Sequence, residues 1–404
     1  MKRYSFLMLM LSFNLAIGCG TKKQNVVPTI NLTSDQVFFT SYDYTAKFNE
    51  LYSIDLMTKK FKILRHIDAS SDTEAYQIND GAGNLEHFYH VEKFSQKFNT
   101  RVTNYTSIYR QNENVNFPMN NRDIILHNGK LLGIGYDDQK IIKTDLKLNE
   151  EIRATFIKGL ERGTEDVAST DKNITSILIA RERVFIVSGG SYDDNDIGKE
   201  DKKPKIYLLN EELNAVEKSW SMQHCFNAFS MQRIENNSKL LVSCNPDYGA
   251  NKKIPSFVLI NANEIDFNIP KLSDQAEKKI LTQQYNSAES YMISLNGISA
   301  DKKSVLITEY SAWQVVKNSY WYNIETEAIS PTKNVAGHVI YNKKYNSYLY
   351  SCHLKGKECE NGVCKTVECE KDKFVLAKDM YGTDPELIDV KVKGSFSGFA
   401  KVLN

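Results

Sequence analysis

Asp123-Ile124-Ile125-Leu126, then His127-Asn128-Gly129, then Leu131-Leu132-Gly133-Ile134 is the stretch whose reading decides the fold. Two short apolar runs flank an Asn-Gly pair, the residues that accept the positive φ of a tight hairpin turn. Working outward, Tyr136-Asp137-Asp138-Gln139 is polar and Ile141-Ile142-Lys143-Thr144-Asp145 is apolar again. Leu148-Asn149-Glu150-Glu151 then turns into Ile152-Arg153-Ala154-Thr155-Phe156. Short runs joined by turns in this way spell an antiparallel meander of four strands. The first runs are apolar at nearly every residue, so both of their faces are expected to be buried. The last alternates, so one of its faces meets water.

The pattern recurs. Unit 1 holds 37–39, 51–56 and 61–64; unit 2, the poorest, holds 85–91, 101–103 and 107–109; the quoted stretch is unit 3. Unit 4 holds 177–179, 184–187, 206–209 and 215–217, and unit 5 holds 240–243, 257–260 and 265–267. Unit 6 holds 305–308, 320–324 and 328–329, and unit 7 holds 338–341, 348–351, 374–377 and 388–390. Second strands recur every roughly 45–65 residues, the spacing of propeller blades with variable loops. The expected fold is all-β: a β-propeller of seven blades, each a four-stranded antiparallel meander. The competing arrangement is a β-sandwich or two smaller β domains. The chain resembles the broad class of seven-bladed propellers that includes WD40-like and YVTN-like proteins. The Trp-Asp signature is absent, so the resemblance implies architecture alone. Unit 1 lacks a first strand, and residues 394–402 read as a first strand without a blade. We expect them to pair beside Val37-Phe38-Phe39 and close the ring, leaving few free sheet edges.

The 404 residues carry 51 basic and 50 acidic side chains, a formal charge of +1. That balance, with no long basic run, argues against nucleic acid as a partner. At the start, Lys2 and Arg3 precede an apolar stretch over 6–17 that is too short to span a bilayer comfortably. It ends Ala16-Ile17-Gly18-Cys19-Gly20, which resembles a bacterial lipobox. The resemblance implies a signal peptide over 1–18, lipidation (palmitate) at Cys19, a flexible tether over 19–29 and a propeller domain over 30–404. Each buried CH2 is worth about 0.8 kcal/mol, so acyl chains can hold a domain at a membrane without a protein span. Gly20 stands where Asp would retain an enteric lipoprotein at the inner membrane, so the implied address in the cell envelope is the outer membrane. The implied partners are that membrane and an envelope protein or peptide.

Loop length picks out a face. Links from first to second strand are short, as at 127–129, 181–183 and 342–346. Links from second to third strand are long, at 188–204, 245–255, 309–318 and 353–372, as are the inter-blade links at 157–173 and 270–292. In a meander these two long classes emerge together, and long loops on a rigid scaffold are where binding usually sits. Within 270–292, Ser273-Asp274-Gln275-Ala276-Glu277-Lys278-Lys279-Ile280-Leu281 reads as a short capped helix.

Beyond Cys19 there are Cys225, Cys244, Cys352, Cys359, Cys364 and Cys369, an even set that favours disulfides in an exported protein. Chain geometry favours Cys225 with Cys244, and Cys352–Cys369 enclosing Cys359–Cys364. Zinc held by Cys359, Cys364, Cys369 and His353 is the rival, on spacings looser than usual. Asp193, Asp194, Asn195 and Asp196 offer oxygens of the kind calcium takes. The loop lacks the full calcium-loop pattern, and Lys199, Lys202 and Lys203 follow, which favours a solvated loop. No other cofactor is indicated. His224, His338 and His353 are candidates near one face, and Tyr310 and Trp313, read as loop residues, are candidates for stacking on a ligand. No catalytic motif for acyl or phosphoryl chemistry is present. The reading is a lipid-anchored binding or scaffold module working through its long-loop face. The alternative is a propeller hydrolase or lactonase with a metal-dependent axial site, on fold analogy.

Overall fold

Asn128 (φ 48°) and Gly129 (φ 69°) are both left-handed, so the pair turns Asn121–His127 straight back into Lys130–Gly135. Arg181 (φ 50°) and Glu182 (φ 59°) make the same turn between Ile174–Ala180 and Arg183–Ser188 without a glycine. The Arg181 guanidinium anchors this turn to blade 5. It donates to the carbonyls of Ala262 (3.3 Å) and Ile265 (2.7 Å) and lies 4.3 Å over the Phe267 ring.

The computed structural model describes residues 32–43, 45–68, 73–93, 100–106, 111–117, 121–135, 139–148, 153–160, 174–190, 203–225, 228–234, 237–244, 256–280, 292–312, 315–354, 357–360, 363–366, 369–370 and 372–403. They form a seven-bladed β-propeller of four-stranded antiparallel blades. We name the strands of each blade a to d from the axis outward. Blade 1 is Ser395–Phe399, Gln36–Asp43, Phe48–Asp55 and Phe61–Ile67. Blade 2 is Thr73–Asn79, Leu85–Lys93, Thr100–Thr106 and Gln111–Phe117. Blade 3 is Asn121–His127, Lys130–Gly135, Lys140–Asp145 and Ala154–Phe156; blade 4 is Ile174–Ala180, Arg183–Ser188, Lys205–Leu209 and Val216–Ser221. Blade 5 is Ala228–Ile234, Lys239–Cys244, Ser256–Asn261 and Glu277–Ile280; blade 6 is Met292–Ile298, Ser304–Ala312, Val315–Asn323 and Ile329–Pro331. Blade 7 is Val335–Asn342, Ser347–Leu354, Lys373–Ala377 and Glu386–Asp389, with Cys369–Glu370 pairing its strand b and a hairpin of Lys357–Glu360 and Val363–Thr366 inserted before strand c.

Each neighbouring pair of blades encloses its own apolar layer. Leu131 packs toward blade 2 with Ile124 and Tyr89, while Leu132 packs toward blade 4 with Ile125 and Ile186. Val184 and Ile186 face blade 3, whereas Phe185 and Val187 face blade 5 with Trp220 and Val242. That alternation is why the middle of strand b is a continuous apolar run in blades 3 and 4. The edge strand Ala154–Phe156 is half-buried to exposed, with Thr155 and Phe156 exposed on opposite faces where the alternation implied a single wet face.

The last residues close the ring. Ser395–Phe399 supplies strand a of blade 1, with Phe399 opposite Phe39 and Gly398 opposite Thr40. Gly394 (φ 73°) makes the turn into it, because a Cβ there would collide with the Tyr42 carbonyl. The chain then continues into Lys401–Leu403, which runs parallel to Tyr76-Gln77-Ile78 of blade 2. This second pairing was not expected.

Three expectations need correction. Residues 265–267 are not a strand: a 3-10 turn at Ala262–Glu264 leads into a loop, and the outer strand of blade 5 is Glu277–Ile280. The helix expected over 273–281 makes only its first turn, with the Ala276 N–H on Ser273 Oγ and the Glu277 N–H on the Ser273 carbonyl. Ile280 then pairs opposite Phe257 and joins the core between blades 5 and 6, so burial overrides helix propensity. The loop placed at 309–318 is mostly strand, since Ser304–Ala312 and Val315–Asn323 reach almost to its tip. The outer strand of blade 2 is Gln111–Phe117, and 107–109 lies outside the described residues.

Phe39 is fully buried and stacks on Tyr52 at 4.9 Å, beside Phe374 at 4.9 Å and Phe396 at 5.7 Å. Phe39→Ala should cost about 3–5 kcal/mol in urea unfolding. Removal of residues 395–403 should lower the melting temperature and expose dye-binding apolar surface. An unchanged melt would contradict ring closure by this segment.

Candidate functional site

Where first strands converge on the axis, their free backbone groups need partners. The third residue of strand a supplies one in blades 3 and 5. Asp123 Oδ2 accepts the Ile177 N–H of blade 4 (3.0 Å) and the Ser176 hydroxyl (3.2 Å). At the same place in blade 5, Ser230 Oγ accepts the Leu295 N–H of blade 6 (2.9 Å) and donates to the Leu295 carbonyl (3.3 Å). Asp123 is 3% exposed, and its charge is matched by Arg233, which reaches over from blade 5. The same guanidinium donates to the Ile124 carbonyl at 3.2 Å and to Ser176 Oγ at 3.4 Å.

A second cluster comes from ring closure. Tyr76 donates to Glu74 Oε2 (2.5 Å), and Lys401 of the closing strand sits 3.4 Å from Glu74 Oε1 and 5.3 Å from the Tyr76 ring. Burial first, then the Glu74 carboxylate, pushes the Tyr76 hydroxyl well above its ordinary pKa. His338 lies on strand a of blade 7 with its ring 5.3 Å from that of Phe396. Burial, then the Lys401 ammonium, holds His338 at about 4, so it is neutral at pH 7. These groups line an axial channel of about 830 Å³. It reaches the face carrying the first-to-second-strand turns, at Asp80, Lys302 and Lys343. That is the face opposite the long loops.

Of the histidines singled out by sequence, His338 alone lines this channel. His224 lies in the link entering blade 5, where Glu277 accepts its N–H (2.8 Å) and that of Gln223 (2.7 Å). Burial raises the Glu277 pKa against the pull of those two N–H bonds. His353 ends strand b of blade 7 opposite Glu370, with Nδ1 3.7 Å from the carboxylate. Among the described residues no contact joins the three. Tyr310 is not in a loop: it lies within Ser304–Ala312, packed with Val316, Ala336 and Cys352, and Asn296 approaches its hydroxyl at 3.5 Å. Trp313, Asp193, Asp194, Asn195, Asp196 and Cys19 lie outside the described residues.

Cys225 is bonded to Cys244 and Cys352 to Cys369, each with Cα atoms 5.4 Å apart. The inserted hairpin sets the backbone of Cys359 opposite that of Cys364. No His, Cys, Asp and Glu group among the described residues is arranged to hold a metal ion, and no described helix is long and apolar enough to cross a membrane.

Sequence reading missed Ser176, Ser230, Arg233, Ser294 and Glu74. The available signal was a polar residue at the same place in successive first strands: Asp123, Ser176, Ser230 and Ser294.

No protein-family model matches the chain, and no curated protein matches it in sequence. Solved structures match on fold. A quinonprotein alcohol dehydrogenase-like protein from Bacteroides thetaiotaomicron matches with a TM-score of 0.50 at 12% identity, over 92% of this chain and 79% of that one. The β-propeller domain of the Trilobed protease from Pyrococcus furiosus, described as having an open velcro topology, matches with a TM-score of 0.47 at 12% identity, over 89% of this chain and 96% of that one. The tricorn protease matches with a TM-score of 0.43 at 9% identity, over 87% of this chain but 39% of its own, so this chain spans about two fifths of that length. At such identities the likeness speaks to the fold, a β-propeller, and not to an activity.

The axial and inter-blade histidines set an acid response. Burial, then Arg65, depresses His90 to about 3; its Nε2 sits 2.5 Å from Thr73 Oγ1. A histidine whose folded pKa lies below its unfolded value of about 6.5 takes up a proton on unfolding. Its contribution to stability therefore falls as pH drops from about 6.5 toward the folded value. His66, raised chiefly by its bond to Glu50, works the other way. Urea unfolding at pH 7 and pH 5 should show a loss that His338→Gln reduces; an equal loss in both proteins would contradict the depressed His338. Separately, Asp123→Ala, which strands Arg233, should cost about 3–5 kcal/mol at pH 7.

Proposed function

We infer that the protein is a lipid-anchored cell-envelope propeller that acts as a binding or scaffold module through its long-loop face. The observation that carries this reading is the placement of the two disulfides. Cys225 sits in the link between blades 4 and 5, and Cys244 ends strand b of blade 5. Cys352 lies near the end of strand b of blade 7, and Cys369 stands just before strand c. Both staples therefore tie connections on the one face where second-to-third-strand and inter-blade links emerge. Each contributes about 2–4 kcal/mol of constraint, and loops held in place before binding pay less entropy on binding. Glu277 pins the link before Cys225 through Gln223 and His224, and the strands Lys357–Glu360 and Val363–Thr366 are inserted between strands b and c of blade 7. The axial carboxylates Glu74 and Asp123 are each committed to a cation, which favours binding over metal-assisted hydrolysis. The partner we expect is an envelope protein or peptide, and the anchor is Cys19, with the outer membrane as its address.

The test uses the full chain in a bacterial envelope, with a photocrosslinking residue at 372 on the long-loop face or at 301 on the opposite face. Position 372 should capture a discrete protein or peptide and 301 should not. Cys352→Ser with Cys369→Ser should cut the yield by about tenfold. Equal capture at both positions would overturn the choice of face. Cys19→Ala should move the protein from the membrane to the soluble fraction; continued membrane partition would overturn the anchor.

A further inference from the structure

The axial channel is a second place where chemistry is unfinished. Apart from Lys302 at the mouth, its cations are already matched. Arg233 is held by Asp123, Lys401 stands 3.4 Å from Glu74, and the Lys343 ammonium donates to the Gly81 carbonyl. Asp80 is used by its own turn, accepting the N–H groups of Ala82 and Asn84 at 2.8 Å each. An ionic ligand entering here would have to compete with one of these arrangements.

Deeper in the lining, the groups left unpaired among the described residues are neutral. Among the described residues nothing hydrogen-bonds the His338 ring, which rests on Phe396 and presents one donor and one acceptor. Gln77 is 9% exposed, and its Oε1 has no partner although its Nε2 donates to Asn79 at 3.3 Å. Ser397 Oγ is also without a partner. These three come from blade 7, blade 2 and the closing strand of blade 1, with Val402 opposite Gln77, so ring closure brings them to one channel. At about 830 Å³ the channel falls within the usual range of small-molecule sites.

We propose that this channel binds a small neutral molecule rich in hydroxyl groups, a mono- or disaccharide or a cyclic polyol, held by His338, Gln77 and Ser397. A hydroxyl both donates and accepts, which suits an imidazole, an amide oxygen and a serine together. Each buried acceptor now without a partner gains one on binding, a larger return than at a solvated surface. The site is separate from the long-loop face and does not depend on the function inferred there.

The test is saturation-transfer NMR on the full chain at pH 7 with glucose, N-acetylglucosamine, maltose and myo-inositol, followed by calorimetry. At least one probe should bind saturably. His338→Gln and Ser397→Ala should each weaken it about tenfold, with circular dichroism melts confirming that both variants fold. Inorganic phosphate and spermidine should not displace it. No transfer to any of the four probes, an unchanged affinity in both variants, or displacement by phosphate or spermidine would overturn the proposal.

Discussion

Every blade of this protein has two apolar faces and no covering layer of its own, and that constraint shapes the rest. A sheet whose strand b reads Val184-Phe185-Ile186-Val187 cannot leave either side wet, so each blade must sit between two others. The arrangement is stable only as a closed ring, because an open one strands two apolar faces. Closure falls to the end of the chain. Phe396 and Phe399 enter the aromatic cluster around Phe39 and Phe374, and Leu403 enters the layer between blades 2 and 3. The terminal strands thus contribute to separate inter-blade cores, which is more than edge pairing would require.

The same closure determines what the axis is made of. First strands other than that of blade 2 converge there with one edge outside any sheet, and a buried N–H without a partner is costly. Asp123 and Ser230 solve the problem by capping the next blade's backbone. A carboxylate in that role brings a buried charge, and Arg233 answers it from two blades away. The polarity of the channel therefore has a structural origin before it has a functional one. The distinction between the two lies in which groups are satisfied. Asp123, Arg233 and Glu74 are spoken for, whereas the His338 ring, Gln77 Oε1 and Ser397 Oγ are not.

This also explains which parts of the molecule were legible in the sequence. Where strands b and c are buried on both sides, as in blades 3 and 4, they appear as apolar runs, and the quoted stretch around Asn128-Gly129 was enough to find them. The first strands of blades 2, 5 and 6 were not recognised. They read Thr-Glu-Ala-Tyr-Gln-Ile-Asn, Ala-Phe-Ser-Met-Gln-Arg-Ile and Met-Ile-Ser-Leu-Asn-Gly-Ile. Each gives up apolar positions to serve the channel, so the hydrophobic signal fades where the candidate site lies. The Ser273 turn failed for a different reason: its local sequence does begin a helix, but Ile280 is worth more in the core between blades 5 and 6. Tyr310 was misplaced because a hairpin that continues to Ala312 looks, in sequence, like a strand followed by a polar loop.

The two faces are built by opposite means, and this bears on how they can work together. On the long-loop face, disulfides tie Cys225 to Cys244 and Cys352 to Cys369, and Glu277 holds the link before Cys225. The short-turn face needs none, since its hairpins are fixed by backbone geometry such as that of Asn128-Gly129. Between them runs a wall of strands packed on both sides, which leaves little room for one blade to shift without disturbing its neighbours. A ligand in the channel could therefore influence the loop face only through the inner strands themselves. Arg233 is the natural point of contact, because it joins blades 3, 4 and 5 near the axis. Unless that tie is broken, a change at the loop face should leave the channel lining as it is, and the reverse.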